Sequence, residues 1–175
     1  MWTLVHLRHS EREAGGVHVT SRGLRLAAEL GGQLGRFDRV VTSPKPRAVE
    51  TAEGMGLTVD ATLPELGTLP GPVGRCLERE DPRSFGDYLG LIARVEEARA
   101  HALHLARLWV DELYRLPDGS RLLLVSHGGV IELGTAGALG RRVAGWGPTL
   151  GLLEGVELQR EGSRWGAGRV LRHPH

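Results

Sequence analysis

Two short runs constrain this chain more than anything else in it: residues 2–7 (WTLVHL) and 121–126 (RLLLVS) are almost continuously apolar. A strand with one wet face alternates apolar and polar side chains, whereas a strand covered on both faces does not. Two such runs call for a sheet with helices on either side. Thr20 is suited to cap the first helix, in which Leu24, Ala27, Gly31 and Leu34 line one face before Gly35. Residues 38–42 hold Val40 and Val41 and stop at Ser43-Pro44, after which residues 47–55 form a helix with proline at its opening. Val95, Ala98, Ala102, Leu105, Trp109, Leu113 and Leu116 keep helical spacing across residues 92–116, until Pro117-Asp118-Gly119 ends the pattern. Residues 130–139 read as another apolar helix, and residues 150–158 and 163–171 as two edge strands joined by a glycine turn. Residues 58–87 carry four of the nine prolines without a sustained period and read as an irregular excursion over the sheet.

Strands alternating with helices at these lengths predict an α/β three-layer sandwich, a mostly parallel central sheet flanked by helices, as one domain over residues 1–175. A chain of 175 residues can bury such a core without disulfides or structural metals. The single cysteine, Cys76, has no partner for a bridge or a zinc ribbon, which suits a reducing compartment. With 22 basic and 21 acidic residues there is no global field for nucleic acid or anionic membrane. No run approaches the roughly 20 apolar residues of a membrane span. The expectation is a cytoplasmic protein, monomer or homodimer, acting on a small substrate; any anion site must be local.

In open α/β sheets ligands collect at the carboxyl ends of the strands. Three strands end in Arg8-His9, Ser43-Pro44-Lys45-Pro46-Arg47 and Ser126-His127-Gly128, bringing two histidines, two arginines and two helix amino termini to one edge. Those groups suit phosphoryl transfer. Guanidinium forks match phosphate oxygens, and helix amino termini aim unsatisfied N–H groups at an anion. A neutral imidazole, His9, can attack phosphorus when its tautomer is fixed, and a protonated second imidazole, His127, can meet the charge that develops on the oxygens. Ser10, Ser43 and Gly128, at the same strand ends, complete the phosphate-contacting set with Arg8, Arg47 and His127. A carboxylic acid kept neutral by burial or by a neighbouring carboxylate can protonate the leaving alkoxide, and Glu65 is the candidate. No metal or other cofactor is required.

These strings resemble the histidine phosphatase (phosphoglycerate mutase-like) superfamily. The resemblance runs through Leu7-Arg8-His9-Ser10, then Val19-Thr20-Ser21-Arg22-Gly23, residues 42–52 (TSPKPRAVETA), Leu63-Pro64-Glu65 and Val125-Ser126-His127-Gly128-Gly129, in the family order across most of the chain. It implies that His9 carries a phosphohistidine, that Arg8, Arg47 and His127 form the phosphate pocket, and that Glu65 stands where many members have their proton donor. Ser10 replaces the usual glycine, and the stretch after Glu65 lacks the Trp-Glu-Gly pattern of the sugar-phosphate members. The reading is a phosphomonoester hydrolase. Its alternatives are a phosphohistidine phosphatase, a mutase-type activity and a non-catalytic phosphate-binding module. His101 and His104 read as solvated, His173 and His175 as a loose tail, and Trp109 as core.

Overall fold

The two apolar runs lie side by side at the centre of one sheet. The structure, a computed structural model, describes residues 1–173. The strands are β1 (Trp2–Arg8), β2 (Arg39–Thr42), β3 (Ala61–Thr62), β4 (Arg121–Ser126), β5 (Gly155–Glu161) and β6 (Arg164–Leu171). The helices are α1 (Ser21–Leu34), α2 (Pro46–Gly54), α3 (Gly71–Glu80), α4 (Phe85–Arg94), α5 (Glu96–Leu113) and α6 (Val130–Leu139). The sheet order is β3-β2-β4-β1-β5-β6. β1 pairs in parallel with β4, and β2 with both β4 and β3, while β5 and β6 add an antiparallel flank.

The two-residue period of a strand explains why both runs are apolar throughout. Leu4, Leu122 and Leu124 point to one side, where they meet Phe85, Trp109 and Ile131 from α4, α5 and α6. Val5, Leu7, Leu123 and Val125 point to the other, against Ala27, Leu30, Ala48 and Ala52 of α1 and α2. Two separate cores therefore sandwich the sheet. Trp109 is fully buried in the first of them, as expected.

Four sequence expectations need correction. Residues 58–87 are ordered rather than irregular: they hold β3, a 3-10 turn at Pro64–Leu66, all of α3 and the start of α4. Their prolines misled because Pro64 and Pro72 occupy helix openings, where the missing N–H costs nothing, and Ser84 opens α4 with a reciprocal capping box to Asp87. Residues 92–116 are not one helix. The backbone turns extended at Val95 (φ −117°, ψ 110°), and the apolar stripe continues across the break because α4 and α5 pack on the same core. β5 starts at Gly155 and is interior, between β1 and β6, so the sheet edges are β3 and β6. On α1 the buried face is Gly23, Ala27 and Leu30, while Leu24 is 40% exposed.

His101 also departs from its solvated reading: it is buried and stacks on His104 with ring centroids 6.0 Å apart. Of the two tail histidines, His173 follows β6 and His175 lies outside the described residues.

Candidate active site

The site is assembled by backbone stitching at the carboxyl ends of β1, β4 and β2. His9 N–H donates to Ser126 O at 2.9 Å and Ser43 N–H to Val125 O at 3.0 Å, which continues the ladders one residue past the strands. The three functional turns leave the sheet in register. His9, only 6% exposed, donates its Nδ1–H to the Ser10 carbonyl at 2.7 Å. A carbonyl can only accept, so the proton sits on Nδ1 and Nε2 keeps its lone pair. Arg47, in the first turn of α2, points Nε–H at that lone pair from 3.1 Å.

His127 stands across from His9, ring centroids 5.1 Å apart, with its Nε2 2.8 Å from Ser43 Oγ. Ser43 Oγ also accepts the Lys45 N–H at 3.1 Å, so one hydroxyl joins the β2 and β4 turns. Arg8 donates Nη1–H to Leu150 O at 2.6 Å and lies against Gly128, where a Cβ would come within 3.3 Å of its guanidinium carbon. Gly128 thus lets the arginine lie flat on the turn.

Burial is the first cause that lowers both imidazoles; cationic neighbours add to it. The His9 pKa falls to about 4, through burial and then Arg47, Arg8 and Arg12. That of His127 falls to about 2, through burial and then Arg47, with His9 and Lys45 adding to it. Burial thus favours the neutral ring, whereas the protonated His127 expected from the sequence concerns the state with a phosphoryl group bound. These cationic neighbours add to burial in disfavouring the charged imidazolium, and a nearby dianion would act in the opposite direction on His127.

The structure brings Arg8, His9, Ser43, Arg47, His127 and Gly128 together. Ser10 is corrected: its hydroxyl donates to Gly23 O at 2.8 Å and its N–H to Thr51 Oγ1 at 2.9 Å, so both groups are spent on α1 and α2. Glu65 sits in the 3-10 turn next to the β2 end, since a Cβ on Gly67 would lie 3.1 Å from Ser43 Oγ. Its side chain is exposed and unpaired among the described residues, without the burial or the neighbouring carboxylate that the sequence argument invoked.

Three contributors were not found from sequence. Arg12 and Lys45 add positive charge, and only their closeness to His9 and Arg47 in the chain hinted at it. Glu132 is the third. It is 1% exposed, and its carboxylate accepts Gly129 N–H at 2.7 Å and Leu150 N–H at 3.0 Å. It therefore ties the turn that follows His127 to the residue whose carbonyl holds Arg8. A glutamate inside an apolar helix gave no sequence signal for this.

Among the described residues there is no group of three potential metal ligands, and no helix is long and apolar enough to cross a membrane.

A parallel-centred α/β sheet presenting two imidazoles and two guanidinium groups at one edge defines an α/β protein of the phosphoglycerate mutase-like kind. The chain belongs to the histidine phosphatase superfamily, branch 1, whose family model matches residues 6–169. No curated protein matches the sequence significantly. Solved structures do. A phosphoserine phosphatase mutant from Entamoeba histolytica in complex with phosphoserine is similar at TM-score 0.67 and 19% identity, over 95% of this chain and 94% of that one. The protein histidine phosphatase SixA complexed with tungstate is similar at TM-score 0.57 and 21% identity, over 97% and 96%. A mycobacterial glucosyl-3-phosphoglycerate phosphatase complexed with VO3 is similar at TM-score 0.57 and 25% identity, over 94% and 96%. All three are phosphatases with different substrates, so the shared fold leaves the substrate open.

Proposed function

We propose that this chain hydrolyses small phosphomonoesters through a phosphohistidine on His9. The observation that carries the reading is the pinned tautomer: Nδ1–H on the Ser10 carbonyl leaves the Nε2 lone pair turned toward Arg47. The phosphoryl group enters with its oxygens on Arg8, Arg47, Ser43 and the turn at Gly128, and Arg47 moves from Nε2 to those oxygens. His9 Nε2 then forms the N–P bond as the ester P–O bond breaks. His127 donates to the oxygens as they gain charge. The leaving alkoxide takes a proton from the Glu65 carboxyl; the resulting carboxylate takes a proton from water, whose oxygen attacks phosphorus while the N–P bond breaks. Phosphate departs and His9 returns neutral.

The direct test is release of inorganic phosphate from phenyl phosphate, together with trapping of an acid-labile phosphoryl label on the protein. Both are expected from the wild type and neither from His9→Ala. Undiminished turnover in that variant sinks the reading. Exposure of Glu65 favours one second reading, a phosphohistidine phosphatase, because a phosphoramidate leaves without a strong proton donor. Glu65→Ala separates the two: a loss of about 100-fold on alkyl esters fits the first, and little change on phosphohistidine fits the second. The free, buried Cys76 supports placement in the reducing cytoplasm.

A further inference from the structure

Beyond Arg8 the surface opens into a cleft of about 350 Å³, between the Gly128-Gly129 turn and the end of α3. Tyr88 lines it from α4. This tyrosine is 5% exposed, yet its hydroxyl has no hydrogen-bond partner among the described residues and is not sealed from the cleft. A buried phenol ordinarily finds a partner. The hydroxyl lies 3.8 Å from the point a Cβ on Gly129 would occupy, so it reaches the same turn that borders Arg8.

The charges around the cleft are one-sided. Glu78, Asp81 and Glu132 line it, against Arg8 and Arg83. Arg83 is paired with Asp81. Glu132 is held by two backbone N–H groups, whereas Glu78 is exposed and unpaired among the described residues. Once Arg8 holds a phosphoryl group, the wall offers acceptors and one phenol but no free cation. A carboxylate placed there meets repulsion without compensation, and hydroxyl groups find partners.

We propose that this cleft is the leaving-group subsite, taking an uncharged, hydroxyl-bearing organic group against Tyr88 and Glu78 and disfavouring one that carries a carboxylate. The inference rests on the phosphatase reading and deepens it. Glycerol 3-phosphate and 3-phosphoglycerate make the sharpest pair of probes, since they differ by a terminal CH2OH against a carboxylate; phenyl phosphate serves as the reference without hydroxyls. The wild type has the higher kcat/KM on glycerol 3-phosphate. Tyr88→Phe lowers kcat/KM on glycerol 3-phosphate relative to phenyl phosphate about fivefold, the effect of one lost hydrogen bond. Glu78→Gln, an exposed change that cannot unfold the protein, raises 3-phosphoglycerate relative to glycerol 3-phosphate by about threefold at low ionic strength, and less in high salt. Equal or better turnover of 3-phosphoglycerate by the wild type overturns the proposal, as do ratios that neither variant moves while turnover still depends on His9. Absence of both phosphate release and label in the wild type is a different failure, since it removes the phosphatase reading itself and the subsite with it.

Discussion

The phosphate edge and the wall formed by residues 58–87 face the same space but are built on different principles. At the edge, each functional side chain follows directly from a buried strand, and backbone bonds from His9 and Ser43 to the neighbouring strand fix the turns. The wall stands on a two-residue strand, a 3-10 turn and the ten-residue helix α3, which buries only Val73 and Cys76. On the proposed function, the chemistry common to all phosphoryl substrates would sit on the part stitched to the sheet. On the same proposal, whatever distinguishes one leaving group from another would fall on the part held by fewer buried contacts.

Acid should expose this contrast most strongly. His9 and His127 at the edge, and His6 inside β1 behind it with its Nε2 2.6 Å from Ser126 Oγ, are held neutral by burial, with pKa values of about 4, 2 and 3. Each is lower than in the unfolded chain, where the ordinary value near 6.5 applies. The unfolded state therefore binds more protons, and stability that is complete above pH 6.5 is lost as pH falls from there toward the folded values. Each histidine contributes about 1.4 kcal/mol per pH unit within that window. Unfolding free energy measured with denaturant between pH 7 and 5 should drop, and His127→Gln should reduce the slope by about one proton. An unchanged slope would mean that the imidazole is not held neutral at the edge.

Arg47→Ala tests the other half of the edge. Removing the guanidinium that faces the His9 lone pair at 3.1 Å should lower kcat/KM by about 1000-fold on any phosphomonoester, in keeping with the loss of a charged transition-state contact. The loss should be alike for all leaving groups. A loss that varies strongly with the leaving group would dissolve the division between edge and wall.

Glu132 braces the edge from beneath, tying the turn after His127 to the residue that holds Arg8. Glu132→Ala leaves the Gly129 and Leu150 N–H groups without acceptors, at a cost of about 3 kcal/mol by denaturant titration. Because Leu150 O holds Arg8, inhibition by vanadate should weaken as well. Glu132→Gln, which keeps one acceptor oxygen, should recover part of both.

The same division decides what could be read before the structure. Residues 2–7 and 121–126 announced their burial by lacking alternation, and the phosphate edge follows from where they stop. Thr20 capped α1 as its side chain suggested, by accepting Gly23 N–H at 2.9 Å. The wall was opaque because proline at a helix opening looks the same in sequence as proline in a loop. Val95 misled in the opposite way: helical spacing persists across a break when two helices share a core. The lowered pKa of His127 was out of reach for another reason, since it comes from burial and from Arg47, which is distant in the chain.

Ser10 marks the finest distinction the comparison can draw. It stands beside His9, the proposed nucleophile, where the family resemblance has glycine, and its place in the chain suggests a phosphate contact. Its hydroxyl instead closes a bond to Gly23 O, and Gly23 is packed so tightly that a Cβ there would lie 2.6 Å from Glu11 O and 3.0 Å from Ser10 Oγ. The hydroxyl thus serves the packing of α1 under the site and does not face the anion. Ser10→Gly should cost about 1 kcal/mol of stability, from one hydrogen bond and added backbone freedom, as read by thermal melting. Turnover should change by no more than about twofold, well under the roughly tenfold that a lost charged hydrogen bond to phosphate would produce. A tenfold drop with an unchanged melting temperature would place the hydroxyl on the substrate after all, and would require the α1 contact to break when phosphate binds.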